Sequence, residues 1–89
     1  VLVVEDSPVL VELALRQLTI LGVQADAVST GKEAVEYALS GRYSAVLMDV
    51  NLPDITGHEA ATEIRAVEYH ENLKAIPIIA MTAGAMLGD

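Results

Sequence analysis

Two short apolar runs end in acids, and that pattern narrows the folds open to this chain. Val1-Leu2-Val3-Val4 runs into Glu5-Asp6, and Ala45-Val46-Leu47-Met48 runs into Asp49. A continuous β-branched run without alternation suits a strand buried on both faces, the habit of parallel α/β sheets. Such sheets place their sites at the carboxyl ends of strands. Two carboxylate-tipped strands would aim Glu5, Asp6 and Asp49 into one small space. Three carboxylates that close repel one another unless a cation joins them. The pattern points to a hard divalent ion and a chemistry that uses it.

Helical patterns alternate with these runs. Ser7 can cap a helix with Pro8 in its first turn. Leu10, Leu13, Ala14, Leu18 and Leu21 then recur at helical spacing, and Gly22 ends the element. Val23 to Val28 reads as a weaker strand. Thr30-Gly31-Lys32-Glu33 has the form of a capping box. Ala34, Tyr37, Ala38 and Leu39 follow on one face, and Gly41 stops that helix. Ala45 to Met48 is the third strand. Gly57 to about Val67 is the third helix, with Ala60, Ile64 and Val67 facing inward. Ile76 to Met81 is the fourth strand, with Pro77 near its start. The order βαβαβαβ predicts one α/β domain with a parallel sheet and right-handed crossovers. A further helix should begin near Met86-Leu87-Gly88-Asp89, so residues 1–89 read as a domain incomplete at its C-terminal side.

Composition excludes several functions. The chain of 89 residues is 53% hydrophobic but only 3% aromatic, which predicts an aliphatic core. A net charge of −8 repels nucleic-acid phosphates, so direct DNA or RNA binding is not expected. Without cysteine there is no disulfide, thiolate zinc site or Cys nucleophile. No apolar stretch approaches the ~20 residues of a membrane span. Val1–Val4 lacks a basic leader and is too short for a signal peptide, so a cytoplasmic domain is expected. There is no Gly-rich phosphate loop for a nucleotide.

Glu5-Asp6, Asp49 followed by Leu52-Pro53 and Gly57, and Ile78-Ile79-Ala80-Met81-Thr82-Ala83 together resemble a response-regulator receiver domain of two-component signalling. The likeness spans the whole chain. Met81-Thr82-Ala83-Gly84-Ala85-Met86 is similar to receivers attached to hybrid sensor histidine kinases. The resemblance implies a flavodoxin-like doubly wound sheet of order 2-1-3-4, with the fifth strand beyond these residues. It makes Asp49 the acceptor of a phosphoryl group from the phosphohistidine of a histidine kinase or histidine phosphotransfer protein. A carboxylate is a competent nucleophile, forming an acyl phosphate. Phosphoryl transfer needs little covalent help and much charge neutralisation. Mg2+ would provide it, held by Glu5, Asp6, Asp49 and the backbone carbonyl of Asn51. The Thr82 hydroxyl and Ala83 amide would bind a phosphoryl oxygen. Asn51 and Gly84 would flank the path of the hydrolytic water and tune dephosphorylation. The family's fifth-strand lysine and switchable aromatic have no counterpart before Asp89; Lys32 and Lys74 lie on other elements.

Plainer readings exist for each residue. Asp49 could be a strand-end acid, and Asp6 a helix N-terminal acid favoured by the macrodipole. Thr82 could be a helix N-cap, and Gly84 simple turn chemistry. His58 and His70 read as surface residues, and Met48, Met81 and Met86 as core or loop residues. An aspartyl-phosphate hydrolase of the haloacid dehalogenase type would need Asp-x-Asp after the first strand. Here the second position is Asn51 and the motif follows the third strand. A receiver-like interaction module that is never phosphorylated is a further alternative. An apolar fourth strand at a sheet edge predicts that the 89 residues alone dimerise, exchange strands or aggregate.

Overall fold

The structure is a computed structural model, and it describes residues 1–81. Strands β1 (Leu2–Val4), β2 (Asp26–Val28), β3 (Val46–Asp49) and β4 (Ile78–Met81) form one sheet of order β2-β1-β3-β4. Each neighbouring pair is parallel. Helices α1 (Pro8–Ile20), α2 (Gly31–Ala38) and α3 (Gly57–His70) make the crossovers. The parallel sheet is the one expected from the alternation of elements, and its order is the doubly wound, flavodoxin-like one that the resemblance implies.

Strand alternation divides the core between two faces. Leu2, Val4, Val46 and Met48 pack with Ala34 and Ala38 of α2 and Ala60 and Ile64 of α3. Val3 turns the other way, toward Ala14 of α1 and Met81. All three residues of β1 are fully buried, as its apolar run requires. The α1 face is thinner. Leu13 is 41% exposed and Leu21 74% exposed, so the periodic leucines of α1 do not all face inward.

Local chemistry moves several expected boundaries. β2 begins at Asp26 rather than Val23, because the end of α1 uses the preceding residues. Gly22 adopts a left-handed φ of 77° and donates to the Thr19 carbonyl, while Val23 donates to Leu18. These are the two bonds of a Schellman turn. α3 runs past Val67 to His70 and ends in the same way, with Asn72 at φ 54° and Leu73 donating to the Glu68 carbonyl. The last turn of α3 stays helical because Glu68 is its buried residue. Its carboxylate accepts from the Ile76 amide at 2.8 Å and from Arg65 Nη1 at 2.7 Å, tying α3 to the approach of β4.

The expected caps are also redistributed. Ser7 occupies the N-cap of α1 without a side-chain bond. Thr30 accepts from the Glu33 amide, but Glu33 returns its carboxylate to the Thr30 hydroxyl rather than to the backbone. The reciprocal capping box is instead at α3, between Thr56 and Glu59. Among the described residues, no helix is long and apolar enough to cross a membrane.

Candidate metal and acceptor site

Register brings the two acidic strand ends together. Leu2, Val3 and Val4 stand beside Val46, Leu47 and Met48, so one residue further on Glu5 faces Asp49. Asp6 follows at the turn into α1. One carboxylate oxygen from each of Glu5, Asp6 and Asp49 lies within 4.8 Å of the others. The carboxyl edge of the sheet thus gathers the three acids that the sequence singles out.

Their surroundings differ. Glu5 is only 5% exposed, Asp49 is half-buried and Asp6 is exposed. Glu5 accepts the Ser7 amide at 3.0 Å, and its own amide continues the ladder to the Val28 carbonyl at 3.1 Å. Burial pushes its carboxyl pKa above the ordinary value; the Ser7 amide opposes that rise, and the Asp49 charge adds to it. The ion pairs among the described residues are Arg16–Glu12 and Arg65–Glu68, and neither reaches the cluster. Three carboxylates with an all-oxygen donor set and, among the described residues, no basic partner fit a hard divalent cation.

The loop after β3 is shaped around Asp49. The Asn51 amide donates to Asp49 Oδ1 at 3.2 Å, and the Gly57 amide donates to the Val50 carbonyl at 2.9 Å. A Cβ at Gly57 would overlap the Asp49 carbonyl oxygen, so only glycine lets α3 start this close to the strand end. Asn51 is exposed, with its backbone beside the cluster through that bond. His58 and His70 are exposed at the two ends of α3. Thr82, Ala83 and Gly84 lie outside the described residues.

Asp54 belongs to this loop and was not among the expected site residues. Its Oδ1 accepts the Gly31 amide at 2.8 Å and its Oδ2 the Lys32 amide at 3.0 Å. The Gly31 bond leads in holding the Asp54 carboxyl down to about 2. Ile55 covers Gly31, where a Cβ would collide with its side chain. No local motif in the sequence pairs Asp54 with a helix that begins 23 residues earlier.

Comparison with known proteins agrees with this architecture. The model of the response regulator receiver domain family matches residues 1–89. The sensor protein GacS of Pseudomonas syringae pv. syringae is 37% identical over 89 residues, which are 100% of this chain and 10% of that protein. The chain therefore spans about a tenth of the length of that relative. The crystal structure of the receiver domain of sensor histidine kinase PA1611 from Pseudomonas aeruginosa PAO1 has a magnesium ion coordinated in its active site cleft. It is 43% identical with a TM-score of 0.81, over 99% of this chain and 70% of that one. A chain of the co-crystal of the Saccharomyces cerevisiae phosphotransfer protein Ypd1 with the receiver domain of Ssk1 is 29% identical. Its TM-score is 0.83, over 92% of this chain and 61% of that one.

Proposed function

The chain belongs to the response regulator receiver domain family, and on that premise we propose that it is a phosphoacceptor module of a two-component relay. The group is received on Asp49 from a phosphohistidine of a kinase or phosphotransfer protein. The observation that carries this reading is the gathering of Glu5, Asp6 and Asp49 within 4.8 Å at the carboxyl edge of the sheet.

An oxygen of the Asp49 carboxylate attacks the phosphorus. A new P–O bond forms as the P–N bond breaks, and the departing imidazole takes up a proton. Glu5 and Asp6 would hold Mg2+ together with Asp49 and the Asn51 carbonyl. When bound, Mg2+ neutralises the charge that builds on carboxylates and phosphoryl oxygens. The Asn51 amide keeps the Asp49 side chain oriented. Burial raises the cost of the bare Glu5 charge, a cost that a bound cation would offset. Thr82 and the Ala83 amide are assigned to a phosphoryl oxygen, and Asn51 and Gly84 to control of hydrolysis.

The test is incubation with acetyl phosphate, with and without Mg2+, followed by mass spectrometry of peptides. Label should appear on Asp49, depend on Mg2+ and vanish in Asp49→Asn. Label on another residue, or equal labelling of Asp49→Asn, would overturn the assignment.

A further inference from the structure

The β3–α3 loop is anchored at three places. Its start is the end of β3, and its finish is closed by the Gly57 amide on the Val50 carbonyl. The third anchor lies at its tip and reaches another element. Asp54 accepts the first two amides of α2, Gly31 and Lys32, one on each carboxylate oxygen. The next amide of α2, that of Glu33, goes to the Thr30 side chain. Opening the helix end is thus shared between a residue of its own turn and a residue of the acceptor loop. A carboxylate at a helix N-terminus makes charge-assisted bonds that the helix dipole strengthens.

We infer that Asp54 is a positioning residue for the cation site: its two bonds to α2 fix the loop that carries the Asn51 backbone and orients Asp49. This rests on the reading of Asp49 as an Mg2+-dependent acceptor. Asn51 is the point of transmission. It stands three residues before Asp54 and its amide holds Asp49 Oδ1. The loop tip is exposed at Pro53 and Asp54, so the carboxylate's grip on α2 restrains a segment that solvent would otherwise loosen. Residues that orient metal ligands from outside change metal affinity by about 10- to 100-fold when lost. An anchor acting through three residues belongs at the low end.

The experiment compares Asp54→Ala, Asp54→Asn and Thr30→Ala in the whole natural protein. One readout is the Mg2+ concentration giving half-maximal acetyl-phosphate labelling. The other is hydrogen exchange of peptides covering residues 50–56, as Mg2+ is titrated without any phosphodonor. Asp54→Ala should raise both Mg2+ midpoints about tenfold and speed loop exchange in the metal-free protein. Asp54→Asn retains one acceptor oxygen and should fall between wild type and Asp54→Ala, which keeps the test alive if the alanine variant folds poorly. Thr30→Ala removes the other cap of α2 and should leave both midpoints in place. Unchanged midpoints in the Asp54 variants would overturn the inference, as would an equal shift in Thr30→Ala, since α2 stability alone would then be responsible. Failure of wild type to label at Asp49 would instead sink the acceptor reading, and this inference with it.

Discussion

Asp6 is exposed while Glu5, its neighbour, is buried, so the two acids answer to different forces. Glu5 is penalised mainly by desolvation, whereas Asp6 contributes charge to a cluster that already holds two carboxylates. Replacing Asp6 by Asn keeps the size and removes one repelling charge. Metal-free stability should rise by about 1 kcal/mol, the scale of two unit charges ~4 Å apart in high dielectric. Mg2+ affinity should fall in the same variant. Thermal unfolding in a chelator, followed by Mg2+ titration, checks both signs; an Asp6→Asn protein unchanged in both would remove Asp6 from the cation site. Glu5→Gln should weaken Mg2+ as well. Its smaller desolvation cost is offset by a weaker acceptor for the Ser7 amide.

At the scale of elements, α3 depends on groups at both of its ends. The Glu68 carboxylate serves the buried Ile76 amide, while its partner Arg65 is half exposed. Glu68→Ala leaves that amide without its acceptor and should cost about 1–3 kcal/mol. Glu68→Gln keeps an oxygen for Ile76 and should cost less; urea denaturation of the two variants measures the gap, and equal losses would mean the Ile76 bond is not the important one. These details also mark how far the sequence could be read. The alternation of strands and helices and the meeting of Glu5, Asp6 and Asp49 are legible, because apolar runs and strand-end acids are local signals; the sheet order follows only from the family resemblance. The end of α3 was not, because Glu68-Tyr69-His70 reads as polar loop until Glu68 is seen buried. The start of β2 is not legible, because Val23 and Ala25 look strand-like while the turn after Gly22 takes Val23 for the end of α1. The runs at Thr30 and Thr56 have the same capping-box form in the sequence, and only the packed structure separates them: the reciprocal box closes at Thr56 and Glu59. Asp54 carried no local signal at all, since its partners become neighbours only when α2 and the β3–α3 loop pack together.

Across the whole molecule, a net charge of −8 and the shifted carboxylates of Glu5, Asp54 and Glu68 make stability depend on pH in two opposed ways. Glu5 has a raised pKa, chiefly through burial, so the folded state binds its proton more tightly than the unfolded chain. Its contribution is fully present below the unfolded pKa and is lost as pH rises through the folded one. Asp54, held down to about 2 first by the Gly31 amide, behaves in the reverse sense. Its contribution is present above the ordinary carboxylate pKa and disappears as pH falls toward 2. Glu68 has the same sign: desolvation would raise its pKa, but the Ile76 amide and Arg65 together outweigh it. Without metal, stability should therefore rise as pH is lowered from neutrality toward about 5, helped by the loss of general repulsion, and fall below about pH 4. Mg2+ requires Glu5 deprotonated, so saturating Mg2+ should flatten or reverse the upper limb while leaving the acid limb alone. Asp54→Asn should do the opposite, softening the acid limb and sparing the upper one. Melting temperatures from circular dichroism, taken between about pH 2 and 8 in chelator and in Mg2+, separate the limbs. An upper limb that ignores Mg2+ would mean that the carboxyl edge of the sheet is not where the cation acts on this fold.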